Sequence, residues 1–202
     1  MIHYLLKSIS YIFHPLLSPL LGVIFYFSKT PRFIPEPVIR AKIFSITILT
    51  VILPILIYFL LKTIKQVNSL ELKTSKERII PLILNVLILI LILERVLPYE
   101  EIPELYYFYL GILFSSLACL FLAFLKFKAS IHMIGSAGFF MFAVALSIHF
   151  KININGTIAL MCIIIGAIAT SRLHLKAHTY AELVMGIFIG LTPQLVLLNY
   201  WL

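Results

Sequence analysis

Apolar residues run in long blocks along this chain, and polar residues gather in the short gaps between them. Seven blocks are long enough to cross, as helices, a hydrocarbon core about 30 Å thick. They cover roughly residues 10–28, 42–62, 79–94, 105–126, 132–149, 156–170 and 182–201. The first block is interrupted by "HPLLSP", where two prolines predict a kinked or partly re-entrant helix. The cluster "YYFY" that opens the fourth suits an interfacial aromatic belt. Gly186 and Gly190 form a GxxxG pair in the last block, and Gly135 and Gly138 lie near the start of the fifth. Both pairs predict close helix packing, and Asn85 predicts an interhelical hydrogen bond.

Composition agrees with the pattern. Of 202 residues, 62% are hydrophobic and 12% charged, far from the balance of a soluble domain. The expected fold is an all-α integral membrane protein, a compact bundle of about six to seven transmembrane helices. It forms one membrane domain over 1–202, with N-terminal helices in 1–60 and a core in 61–202. The N-terminal block lacks a signal-peptide cleavage pattern and reads as a membrane segment. Cys119 and Cys162 lack metal-site spacing and read as small packing residues.

Charge alters the picture. The net charge is +8, which suits anionic head groups or phosphate-bearing substrates rather than nucleic acid, because most of the chain lies in hydrocarbon. If every block crosses once, the connections 62–78, 126–131 and 171–181 share one face with the N-terminus. That face collects ten of the sixteen cations, and Arg78, His132, Arg172 and His178 all fall at its helix mouths.

The densest chemistry is "SRLHLKAHTYAE", residues 171–182. Hydrolysis of a phosphate ester without a metal needs cations for the non-bridging oxygens, a nucleophile, and an acid for the leaving group. Arginine matches phosphate with a planar fork, and histidine can attack or donate near neutral pH. Glu182 lies one helical turn from His178 and can hold one ring nitrogen. A second reading takes His174, His178 and Glu182 as metal ligands on one helix face. Lys73, Lys76, Lys128 and Lys176 read as membrane-flanking cations, one of which could contact phosphate. His14 reads as a capped histidine at the kink, near the same mouth.

These residues resemble the type 2 phosphatidic acid phosphatase (PAP2) superfamily over roughly residues 60–201. Ser171-Arg172, five residues, His178, three residues and Glu182 follow that family's third motif, with Glu for Asp. Ala129-Ser130-Ile131-His132 keeps the serine and histidine of the second motif but not its proline and glycine. Arg78 in "KTSKERIIP" fits the first, with the lysine closer and the proline displaced to Pro81. The resemblance implies His178 as nucleophile, giving a phosphohistidine, and His132 as acid to the leaving group. It implies Glu182 orienting His178, and Arg172, Arg78, Lys73 and Ser130 holding the phosphate, with no metal and no cofactor. It further implies a lipid phosphate substrate within the bilayer, and a bacterial inner membrane with the site on the periplasmic face. The alternatives are a catalytically weak relative that binds lipid phosphate or a membrane partner, and a lipid phosphotransferase.

Overall fold

The computed structural model describes residues 2–67, 72 and 74–202, and among these the regular structure is helical, without strands. The helices are α1 (Ile2–Ile12), α2 (Ser18–Lys29), α3 (Glu36–Thr47), α4 (Leu53–Thr63), α5 (Ser75–Arg95), α6 (Pro103–Phe124), α7 (Ile131–His149), α8 (Asn155–His174) and α9 (Tyr180–Leu197). The protein is an all-α, multi-pass membrane bundle. Six stretches are long and apolar enough to span: His3–Lys29, Glu36–Thr63, Pro103–Phe124, Ile131–His149, Asn155–His174 and Tyr180–Tyr200. Helix α5, 21 residues long, packs along α6 and carries charges at both ends.

The first stretch is one broken helix, and it begins earlier than its hydropathy predicts. Pro15 has no N–H to return to Tyr11, and it biases His14 to extended backbone. His14 accordingly sits at φ −65°, ψ 134°, and its Nδ1 accepts from the Leu16 N–H at 3.3 Å. Helix α1 lies against the end of α8, while α2 reaches the opposite side of the bundle through Tyr26. The second stretch also starts early, at Glu36, because Glu36 and Pro37 suit a helix N-terminus. Between α3 and α4 a π turn covers Ile48–Ile52, ahead of Pro54, which cannot donate to the Thr50 carbonyl.

Four helices end alike. Lys65, Lys126, Lys151 and Lys176 take left-handed backbone, φ 58°, 62°, 52° and 51°. At each, two N–H groups fold back on the helix; after α8 these are Lys176 N–H to Leu173 C=O and Ala177 N–H to Arg172 C=O. Glycine is usual at such a C-cap. Lysine instead brings a positive charge to the negative end of each helix dipole, at the height of the lipid head groups. Two of these turns, after α6 and α8, border the candidate site.

Close packing of α7 on α9 sets the remaining geometry. A Cβ on Gly190 would lie 2.3 Å from the Ile134 carbonyl oxygen, and one on Gly186 would lie 2.8 Å from that of Ser130. Phe108 stacks on Phe142 at 4.2 Å in the main core, and Asn85 Nδ2 donates to Ser116 Oγ between α5 and α6. On the far side, the fully buried Glu104 carboxylate meets Arg32 at 2.7 Å and accepts from the Tyr26 hydroxyl at 3.2 Å. His149 Nε2 also lies 3.2 Å from it, so a histidine without any sequence signal closes a buried polar cluster.

Candidate active site

Chain geometry brings the ends of α5, α7, α8 and α9 together at one mouth. The Schellman turn after α8 carries the chain from Arg172 to His178 in a single reversal. Helix α9 then starts with a capping box. Thr179 Oγ1 accepts from the Glu182 N–H at 3.3 Å, and Glu182 Oε2 accepts from the Thr179 N–H at 3.0 Å. The same Oε2 accepts from His178 Nδ1 at 2.9 Å. One carboxylate oxygen therefore caps the helix and fixes the histidine tautomer, leaving Nε2 as the nitrogen with a free lone pair.

The other candidates close around this pair. Ser130 is the N-cap of α7; its N–H donates to the Glu182 carbonyl at 3.0 Å, tying α7 to the first turn of α9. The Ser130 hydroxyl is buried and has no hydrogen-bond partner among the described residues. Arg78, 4% exposed, donates from Nη1 to the Ala129 carbonyl at 2.7 Å and from Nε to the Leu72 carbonyl at 3.1 Å. Arg172, 5% exposed, donates from Nη1 to Ser10 Oγ at 2.7 Å. Lys128 donates to the Ala177 carbonyl at 2.9 Å. Above His178, an open depression of about 360 Å³ is bordered by Lys128, Lys176, His178, Thr179 and Glu182.

Burial lowers the His178 pKa from its usual 6.5; the Glu182 hydrogen bond raises it in part, and the charges of Arg78, Lys128 and Arg172 lower it further. The ring is thus neutral at physiological pH, as a nucleophile must be. His132 begins α7 within electrostatic reach of Arg172 and His178, and its Nε2–H donates to the Ser10 carbonyl at 3.1 Å. The His14 ring stands edge-on to it, with ring centres 5.5 Å apart.

The structure brings His178, Glu182, Arg172, Arg78, Ser130 and His132 to one place, while Lys73 lies outside the described residues. His174 turns instead to His3, with ring centres 5.7 Å apart. Among the described residues no group of three His, Cys, Asp or Glu side chains could hold a metal. Ser10 has little sequence signal, and His14, read as a capped histidine near the mouth, also meets His132, a residue far along the chain that periodicity does not link to it. Thr179 did carry one, because Thr-Tyr-Ala-Glu has the capping-box spacing. No protein-family model, curated protein or solved structure matches this chain.

Proposed function

We propose that the protein is a metal-independent lipid phosphatase of PAP2-like mechanism, working where the bundle mouth meets the membrane surface. The observation that carries this reading is the His178–Glu182 pair, 2.9 Å apart, seated among Arg78, Arg172 and Lys128. The lipid chain of the substrate stays in the bilayer and its phosphate enters the cationic mouth. The arginines and the Ser130 hydroxyl bind the non-bridging oxygens. His178 Nε2 attacks phosphorus, forming a P–N bond as the P–O bond to the lipid alkoxide breaks. His132, entering as the imidazolium with its Nε2–H held by the Ser10 carbonyl, gives the leaving oxygen its Nδ1 proton and becomes neutral. Water then attacks phosphorus and returns that proton to His132. The P–N bond breaks, orthophosphate leaves and His178 is restored. Glu182 keeps the proton on Nδ1 and opposes the positive charge on the ring while it carries the phosphoryl group.

The test is phosphate release from a panel of lipid phosphates by purified protein, with His178→Ala as control. Release by the wild type and none by the variant supports the reading; equal release sinks it. A second reading, lipid-phosphate binding without turnover, draws on Ala129 and Ile131 in place of the second motif's proline and glycine. It predicts saturable binding with no release. If phosphate appears only when an acceptor lipid is supplied, the protein is a phosphotransferase. We place the mouth on the periplasmic face of a bacterial inner membrane. A Lys176→Cys variant should then react with a membrane-impermeant maleimide in intact cells, and protection until lysis would reverse the orientation.

A further inference from the structure

The first helix lies outside the region of motif resemblance, yet it supplies both partners that hold two of the candidate residues. Arg172 Nη1 donates to the hydroxyl of Ser10 at 2.7 Å, and His132 Nε2 donates to the backbone carbonyl of the same residue at 3.1 Å. The second contact depends on the helix break. In an unbroken helix the Ser10 carbonyl would accept from the N–H of His14, four residues on. Helix α1 ends at Ile12, ahead of the His14–Pro15 break, and its closing main-chain bond runs from Phe13 N–H to the Ile9 carbonyl, which leaves the Ser10 carbonyl to His132. Ser10 is itself buried, 5% exposed, and α1 is pinned to the mouth by a further bond from Ser171 Oγ to the Leu6 carbonyl.

We propose that Ser10 is a positioning residue for phosphate transfer. Its hydroxyl aims the Arg172 fork, and its carbonyl, released by the His14–Pro15 break, orients His132. The inference rests on the phosphatase reading and deepens it. For His132 the Ser10 carbonyl does what Glu182 does for His178. With Nε2–H held, Nδ1 is the nitrogen left to exchange a proton with the leaving oxygen. The two contacts serve different parts of the reaction, so they separate in kinetics. Losing the hydroxyl loosens an arginine that grips phosphate whatever the leaving group. Disturbing the carbonyl misaligns the acid, which matters for an alkoxide and little for a nitrophenolate, which departs without a proton.

The experiment compares wild type, Ser10→Ala, Ser10→Thr and Pro15→Ala as full-length protein in detergent. The substrates are a lipid phosphomonoester and p-nitrophenyl phosphate. Ser10→Ala should raise KM for both substrates about tenfold, as expected for one lost hydrogen bond to a charged group. Ser10→Thr, which keeps the hydroxyl, should recover most of that loss. Pro15→Ala lets the His14 N–H compete for the carbonyl; it should slow turnover of the lipid ester while leaving p-nitrophenyl phosphate close to wild type. Wild-type kinetics in Ser10→Ala, or equal losses on both substrates in Pro15→Ala, overturn the proposal. If the wild type hydrolyses neither substrate, the phosphatase reading fails, and Ser10 is judged by thermal unfolding with added inorganic phosphate. Protection of the wild type that weakens in Ser10→Ala and returns in Ser10→Thr supports the Arg172 contact. Equal protection, or none, overturns it.

Discussion

Replacing Glu182 by glutamine separates the two tasks that meet on one oxygen. Glu182 Oε2 accepts from the Thr179 N–H at 3.0 Å and from His178 Nδ1 at 2.9 Å. A glutamine carbonyl can take both bonds, and glutamine serves in capping boxes as glutamate does, so the fold should lose no more than about 0.5 kcal/mol. The charge is what disappears. In the proposed mechanism the ring is cationic while Nε2 carries the phosphoryl group, and two unit charges about 4 Å apart interact by about 4 kcal/mol at an effective dielectric constant near 20. At about 1.4 kcal/mol per tenfold, that corresponds to a loss of about three orders of magnitude in turnover. The glutamine amide can also rotate and donate to Nδ1, moving the ring proton to Nε2 and silencing the nucleophile.

The assay is steady-state phosphate release by purified protein, with thermal unfolding measured on the same preparations. Glu182→Gln should fall by about 10²–10⁴ in turnover with an unchanged melting midpoint. Glu182→Ala should lose the cap as well, at about 1 kcal/mol. Glu182→Asp, one methylene shorter, cannot span both donors as well, and should fall between wild type and Glu182→Gln. Wild-type turnover in Glu182→Gln beside a destabilised Glu182→Ala would reduce the carboxylate to a helix cap and refute the reasoning.

Three further outcomes follow from the geometry. Because burial and neighbouring cations lower the His178 pKa, the acid limb of kcat/KM should lie below pH 6.5, and Lys128→Met, which removes one of those cations, should move it to higher pH. The sign carries to stability: the neutral ring's contribution is fully present above the unfolded-state pKa and lost as pH falls through the lowered folded value, readable by unfolding at stepped pH. EDTA should leave phosphate release intact; abolition with recovery on adding a divalent metal would restore the His174, His178 and Glu182 ligand reading. Gly186→Ala, whose Cβ would meet the Ser130 carbonyl at 2.8 Å, should cost about 1–3 kcal/mol and depress activity, whereas Gly166→Ala, with nothing within 4 Å, should do neither when turnover and melting are compared.

The bundle was legible because unbroken apolar blocks leave few alternatives in a bilayer, and the kink because Pro15 forbids a bond. Helix starts were less legible. Residues 3–9 and 36–41 dilute any hydropathy window with His3, Lys7, Glu36 and Arg40, yet they are helical. At α1 the polar Ser10 turns inward to Arg172, so its polarity marks a site rather than a helix boundary. The His178–Glu182 pair was readable because the two residues are one turn apart. The Ser10–Arg172 bond joins residues 162 apart, and Glu104 lies 78 residues from Tyr26 and 45 from His149, separations that local periodicity does not encode.

The electrostatics of the mouth argue for its occupant independently of any motif. Helices α5, α7 and α9 begin there while α6 and α8 end there, so the helix dipoles oppose one another and the positive potential is that of Arg78, Arg172 and Lys128. The acceptors described for Arg78 are the carbonyls of Leu72 and Ala129, neither of which carries formal charge. Burying Arg78 against neutral oxygens costs several kcal/mol more than leaving it in water, a cost that packing alone does not ask for. Glu182 is committed to His178 and to its own helix cap. An incoming phosphate dianion would replace neutral acceptors with a charged one at Arg78 and meet the Ser130 hydroxyl, which has no partner among the described residues. Its negative charge would also oppose the field that keeps His178 neutral, so binding and protonation are coupled. Phosphate binding should therefore exchange protons to an extent that differs between wild type and His178→Ala, measurable by calorimetry near pH 6 in buffers of different ionisation enthalpy. The same proton exchange in both proteins would mean that the anion does not reach the histidine.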